Sequence, residues 1–118
     1  MDMDIRFQNK KREKELGTVQ GQKKLGAKRA QLLRRRLDLL LSAETLADLW
    51  PPYSGPSRCH ELAQEKRGGQ KRLSVDLDHP YRLIFAPDHK PFPVRGDGGL
   101  DWFQVTAIKI LSVEDTHD

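Results

Sequence analysis

Two alternating apolar runs flanking Asp78-His79-Pro80 constrain this chain more than any other stretch of it. Leu73-Ser74-Val75-Asp76-Leu77 alternates on one side, and Tyr81-Arg82-Leu83-Ile84-Phe85 on the other. Asp and Pro suit a short reversal, and a proline is excluded from the middle of a central strand, so the pattern predicts a β-hairpin. Side chains alternate across a strand. Leu73, Val75 and Leu77 therefore share a core face with Tyr81, Leu83 and Phe85, while Arg72, Ser74, Asp76 and Arg82 share the other. Ahead of the hairpin, Lys66-Arg67-Gly68-Gly69-Gln70-Lys71-Arg72 is a loop with four cations. The arginine-bearing face is either a solvated surface or the seat of a polyanion.

The remaining elements follow from local signals. Ile5 and Phe7 alternate with Asp4 and Arg6, predicting a first strand of about four residues at a sheet edge or beside the last strand. Asn9 can cap a short helix through Leu16 that Gly17 ends. Gln22 to Ser42 reads as the main helix. Ala30, Leu33, Leu37, Leu40 and Leu41 fall at i, i+3, i+4, i+7 spacing, with Lys24, Lys28 and Arg35 nearly opposite as a basic ridge. Leu25, Leu32 and Leu39 make a second line, for packing on the first helix or for a partner protein. Glu44 to Leu49 adds a helical turn with Ser42 as its cap.

Trp50-Pro51-Pro52-Tyr53-Ser54-Gly55-Pro56 breaks the helix and crosses to the sheet, with Trp50 and Tyr53 expected beneath the crossover or stacked on bases. The stretch from Ala86 to Asp101 reads as a connection turning at Gly96-Asp97-Gly98-Gly99. Val105 to Val113 is apolar on both faces and predicts a central strand. The expected fold is α+β: one domain over 1–118, a small and largely antiparallel sheet of about four to five strands, and two N-terminal helices packed on one face.

A chain of 118 residues supports one hydrophobic core, and 36 % hydrophobic with 32 % charged residues suits a folded domain with a wide polar surface. The net charge of +4 is unevenly spread. Eleven Lys or Arg against two acids lie between Lys10 and Arg36, and five acids against one Lys follow Gly96, which favours an anionic partner for the first half. The single cysteine, Cys59, excludes an internal disulfide and a thiolate-cluster metal site. Met1 to Lys11 is too charged for a signal peptide, and no apolar run approaches the roughly 20 residues that span a bilayer. A cytoplasmic protein without a membrane association is expected.

The helix pair, His60-Glu61-Leu62, the basic loop, Pro80-Tyr81-Arg82-Leu83-Ile84-Phe85, Asp101-Trp102, Val105-Thr106-Ala107-Ile108-Lys109-Ile110 and the terminal Asp115-Thr116-His117 occur in an order that resembles the RelE/ParE superfamily of bacterial toxins. Within it, the chain is most similar to the HigB-like plasmid maintenance killer branch. The resemblance spans nearly the whole chain and implies a RelE-like fold. It also implies a type II toxin-antitoxin role as a ribosome-dependent endoribonuclease, an mRNA interferase that blocks translation. The partners so implied are the ribosome, messenger RNA and a cognate antitoxin, a helix-turn-helix DNA-binding protein. By position the resemblance assigns the strand arginine to Arg82, the loop cations to Lys66, Arg67, Lys71 and Arg72, and the terminal acid and imidazole to Asp115 and His117. Where that branch ends in Asp-Tyr-His, this chain has Thr116, which offers no ring for stacking. The loop between Leu62 and Leu73 is about three residues longer than the branch usually has.

Metal-independent RNA cleavage needs a proton acceptor at the 2′-hydroxyl, a donor at the 5′-oxygen and cations for the phosphoryl oxygens. His117 can be the acid or the base, because an imidazole titrates near pH 6.5. Arg82 can hold two phosphate oxygens at once. Lys71 is a candidate proton donor, and Asp115 either orients His117 or takes a proton. Lys66, Arg67 and Arg72, with Lys24, Lys28 and Arg35 on the helix, are candidate RNA-backbone contacts. His60 is either a satisfied sheet histidine or a second acid/base group, and His79 and His89 read as turn residues. No metal or cofactor is expected. Two other readings remain open: a ParE-like gyrase-inhibiting toxin, which needs no terminal histidine, and an RNA- or antitoxin-binding member that has lost its chemistry.

Overall fold

The computed structural model describes residues 2–63 and 71–115. Five strands form one sheet in the order β1-β5-β4-β3-β2. They are β1 (Asp4–Phe7), β2 (His60–Glu61), β3 (Leu73–Asp76), β4 (Tyr81–Pro87) and β5 (Ala107–Asp115). Edge strand β1 runs parallel to β5, and every other pairing is antiparallel. Three helices, α1 (Lys10–Leu16), α2 (Val19–Lys23) and α3 (Ala27–Ser42), precede the last four strands. The fold is α+β, as the pattern of elements requires.

The hairpin takes the expected register: Leu73 faces Phe85, Val75 faces Leu83, and Asp76 faces Arg82. Leu73, Val75, Leu83 and Phe85 are fully buried in one cluster with Leu33 and Leu40 of α3, so α3 covers this face. Asn9 caps α1 by accepting from the Arg12 amide, and Gly17 closes it.

Where the structure departs from the pattern, the causes are local. The helix expected over 22–42 is two helices. The Thr18 hydroxyl accepts from the Gly21 amide and starts α2 early, and Gly26 at φ +93° breaks the path before α3. A side chain at Gly21 would collide with the Lys14 carbonyl, which is how α1 and α2 come so close. Of the expected stripe, Ala30, Leu33 and Leu40 are buried and Leu37 packs on the core, but Leu41 is exposed at the last turn. Leu25 and Leu32 pack on the core, whereas Leu39 is exposed. The next turn is a 3₁₀ helix (Leu46–Leu49) capped by Thr45, while the Ser42 hydroxyl donates back to the Leu39 carbonyl.

The expected faces of the last strand are also corrected. Ile84 pairs with Ser112 but Phe85 with Ile110, so Leu111 is an extra residue in a bulge. Ile108, Ile110 and Val113 consequently all join the core, and Leu111 turns to the opposite face with Ile84, Ala86 and Leu62. That opposite face is covered at its centre by this second small apolar cluster. The strand is central, between β1 and β4.

Helix and hairpin are locked at one end by charge. Arg29 of α3 donates Nε and Nη2 to the two Asp78 oxygens, each at 3.0 Å, while its guanidinium lies 3.5 Å from the centre of the Tyr81 ring. The hydrogen bonds from Arg29 hold the Asp78 carboxyl below the usual carboxylate range. Among the described residues, no helix is long and apolar enough to cross a membrane.

Asp78→Asn is expected to destabilise the chain at pH 7 by about 1–2 kcal/mol, a bidentate pair discounted for partial exposure. Because the folded carboxyl titrates below its unfolded value of about 3.9, this stability is complete above that value and is lost as pH falls through the folded one. Urea titrations at pH 7 and at successively lower pH should therefore show a deficit in the variant at pH 7 that narrows as the pH falls below about 3.9.

Candidate functional site

The sheet face away from α3 carries two polar rows. Across β2, β3, β4 and β5 the first row reads His60, Ser74, Ile84, Ser112, and the second, about 7 Å along the strands, reads Asp76, Arg82, Glu114. Register places these side chains on one side because partners in an antiparallel ladder share a face. Arg82 Nε lies 3.3 Å from Asp76 Oδ1, and Arg58 Nε from the crossover lies 3.4 Å from Asp76 Oδ2. Two guanidinium groups therefore share one carboxylate. Arg82 is about one-third exposed and Arg58 about half. In the same field the Ser112 hydroxyl donates to Glu114 Oε2.

The polar accounting here is incomplete. Among the described residues Ser74 Oγ and Asp76 Oδ1 are buried without a hydrogen-bond partner, although Oδ1 is within ion-pair distance of Arg82. Buried polar atoms are nearly always satisfied, so Ser74 Oγ is unusual on this face, whereas Asp76 Oδ1 has the Arg82 guanidinium beside it.

The crossover supplies the rim of the site. Arg36 of α3 donates Nε to the Asp76 carbonyl at 2.6 Å and Nη2 to the Pro56 carbonyl at 3.4 Å, and the Asp76 amide donates to the Ser57 carbonyl at 2.7 Å. Burial lowers the Arg36 pKa, partly offset by Asp76. Thus the helix layer fixes both β3 and the crossover around the site. His60 Nδ1 lies 2.7 Å from the Arg58 carbonyl. A carbonyl can only accept, so Nδ1 holds a proton and Nε2 carries the lone pair of the neutral ring. The Tyr53 ring stacks on His60 at 4.1 Å with planes 17° apart. Tyr53 (φ +67°) and Arg58 (φ +48°) are the non-glycine residues with positive φ among those described. Each such conformation costs roughly 1 kcal/mol or more.

The residues singled out in the sequence divide among three places. Arg82 lies at the centre of the site. Lys71 and Arg72 precede β3, with the Arg72 carbonyl bonded to the Leu62 amide, roughly 13 Å along the strand from Asp76. Asp115 faces Tyr81 in the ladder, and the acid opposite Arg82 is Glu114. Lys24, Lys28 and Arg35 are exposed in the helical layer, on the other side of the sheet from Arg82, and do not join it. Lys66, Arg67, Thr116 and His117 lie outside the described residues.

Arg58 and Glu114 emerge as site residues only in the structure, which also brings Tyr53 and Ser74 to the site. Neither crossover aromatic is buried beneath it: Tyr53 is 51 % and Trp50 42 % exposed. Trp50 abuts Trp102 edge-on at 5.1 Å and has the Arg95 guanidinium 6.0 Å from its ring centre, while Trp102 is buried and donates Nε1 to Glu61 Oε2. The Pro- and Gly-rich composition of the crossover was the available signal. His89, expected in a turn, accepts from the Thr106 amide. Cys59 is buried, and burial pushes its thiol up to about 12, so it is not a nucleophile near neutrality. Among the described residues no group of three His, Cys, Asp or Glu is placed to hold a metal ion. Comparison of the chain with protein-family profiles, curated proteins and solved structures finds no match.

If Arg58 and Arg82 bind anions, Asp76 competes with the ligand. Asp76→Asn is then expected to elute from immobilised heparin at higher salt than wild type, and to shift more than Asp38→Asn, which removes an exposed acid from α3. A larger shift for the α3 variant would put the polyanion on the helix ridge instead.

Proposed function

We propose that this chain is a metal-independent endoribonuclease acting on messenger RNA at the ribosome, the toxin of a type II toxin-antitoxin pair. The observation that carries the reading is the convergence of Arg58 and Arg82 on Asp76, on the sheet face opposite α3. A phosphodiester can replace the carboxylate between the two guanidiniums, and bidentate contacts stabilise charge as it grows on the phosphoryl oxygens. The order of motifs along the chain and the α+β sheet on which they sit support the same reading.

In this mechanism a base takes the proton of the 2′-hydroxyl, O2′ bonds to phosphorus, and the bond from phosphorus to O5′ breaks. An acid protonates O5′, leaving a 2′,3′-cyclic phosphate and a 5′-hydroxyl. His117 is proposed for one proton transfer. His60 Nε2 is a second imidazole nitrogen on this side of the sheet, since its Nδ1 is committed to the Arg58 carbonyl. Lys71 and Arg72, with Lys66 and Arg67, would hold flanking phosphates or ribosomal RNA. The exposed cations Lys24, Lys28 and Arg35 belong to the helical layer and suit the acidic surface of an antitoxin better than the scissile phosphate. A binding protein without chemistry is the second reading, favoured by Asp76, which already neutralises part of the cationic pair.

Induction of the wild-type chain is expected to arrest bacterial growth and to create new messenger-RNA 5′ ends inside translated frames. Arg82→Ala should lower the cleavage by at least about 100-fold, the loss of one preorganised donor to the transition state, and His117→Ala should also abolish arrest. Arrest without cuts would point to a protein target such as gyrase. A folded wild type that neither arrests nor cleaves would support the binding role.

A further inference from the structure

The crossover holds an exposed aromatic ring in a backbone conformation that disfavours it. Tyr53 has φ +67°, a region where a bulky residue is a steric outlier, and is tied there by a hydrogen bond from its amide to the Cys59 carbonyl at 3.0 Å. One face of its ring rests on His60, which is itself buried and fixed through Nδ1. Half of the residue is nevertheless exposed. Covering His60 would not by itself require a tyrosine at this φ, because any apolar group from an unstrained position could do so. Arg58, the other strained residue, brings its guanidinium 5.0 Å from the ring centre and reaches Asp76 with Nε. The cation thus lies over the ring, and both stand at the rim of the polar rows.

We propose that Tyr53 is a stacking platform for one unpaired nucleobase of an RNA strand, with the phosphate of that nucleotide on Arg58. This rests on the RNA-directed reading above and deepens it. An aromatic face binds any base by stacking, and a neighbouring guanidinium takes the backbone, so the pair recognises single strands without reading sequence. It also gives this chain an aromatic contact from the crossover, where the tail offers Thr116. The fixed His60 beneath the ring keeps the platform from turning away when the base arrives.

The decisive variant is Tyr53→Gly, because glycine accepts φ +67° and the ring is removed without adding backbone strain. Fluorescence anisotropy would compare a labelled ten-nucleotide single-stranded RNA with an abasic oligonucleotide of the same sugar-phosphate backbone, at low salt. Wild type is expected to prefer the base-bearing strand. Tyr53→Gly should bind that strand about tenfold more weakly or worse and the abasic strand within about twofold of wild type, while Tyr53→Phe should keep the preference. Circular dichroism would show that each variant is folded. Wild-type affinity of Tyr53→Gly for the base-bearing RNA, or equal weakening on both strands, overturns the platform while the RNA reading stands. A wild type that binds neither strand overturns both.

Discussion

The register of β3 against β4 is the constraint on which the rest depends. With Asp76 opposite Arg82, the apolar set Leu73, Val75, Leu83 and Phe85 lies under α3 and the polar set lies outside. A slip of one residue would exchange the two faces and place Asp76 and Arg82 in the core, so burial of the apolar side also fixes the site. Arg29 on Asp78 and Arg36 on the Asp76 carbonyl tie the same hairpin end to the helix layer. The residues that hold the fold together and those that form the site are therefore alternate residues of one hairpin.

Charge is distributed to match. Two arginines share the Asp76 carboxylate, which holds them oriented, and Glu114 stands opposite Arg82 as the second acid of the row. The carboxylate thereby lowers intrinsic affinity for anions while reducing the ordering cost of binding. The unsatisfied Ser74 Oγ and the two positive-φ residues cluster at the same surface. Local strain and a missing hydrogen bond gathered at one surface are the physical signature of a site rather than of a support.

Much of this architecture was legible in the residues. Period-two alternation around Asp78-His79-Pro80 gives the hairpin and its faces, Asn9 and Gly17 bound α1, and Ile5 with Phe7 gives β1. Arg82 follows from the same alternation. The break at Gly26 was hidden because Leu25, Leu32 and Leu33 continue a helical pattern through it. The bulge at Leu111 was hidden because β5 is apolar on both faces, and with it went the pairing of Glu114, rather than Asp115, with Arg82. Tyr53 and Arg58 could not be placed from sequence, since nothing in a non-glycine residue announces a positive φ. Their conformation comes from contacts with Cys59 and His60, which exist only after the crossover has closed on the sheet.

The central claim is that the sheet face at Arg58, Asp76 and Arg82, and not the basic helix, receives the RNA. Hydrogen–deuterium exchange of the full chain with and without single-stranded RNA, read by mass spectrometry, tests it most directly. The account predicts new protection over 53–60 and 76–84, with α3 unchanged. Protection confined to 24–36, with the crossover and hairpin exchanging as in the free chain, would contradict it.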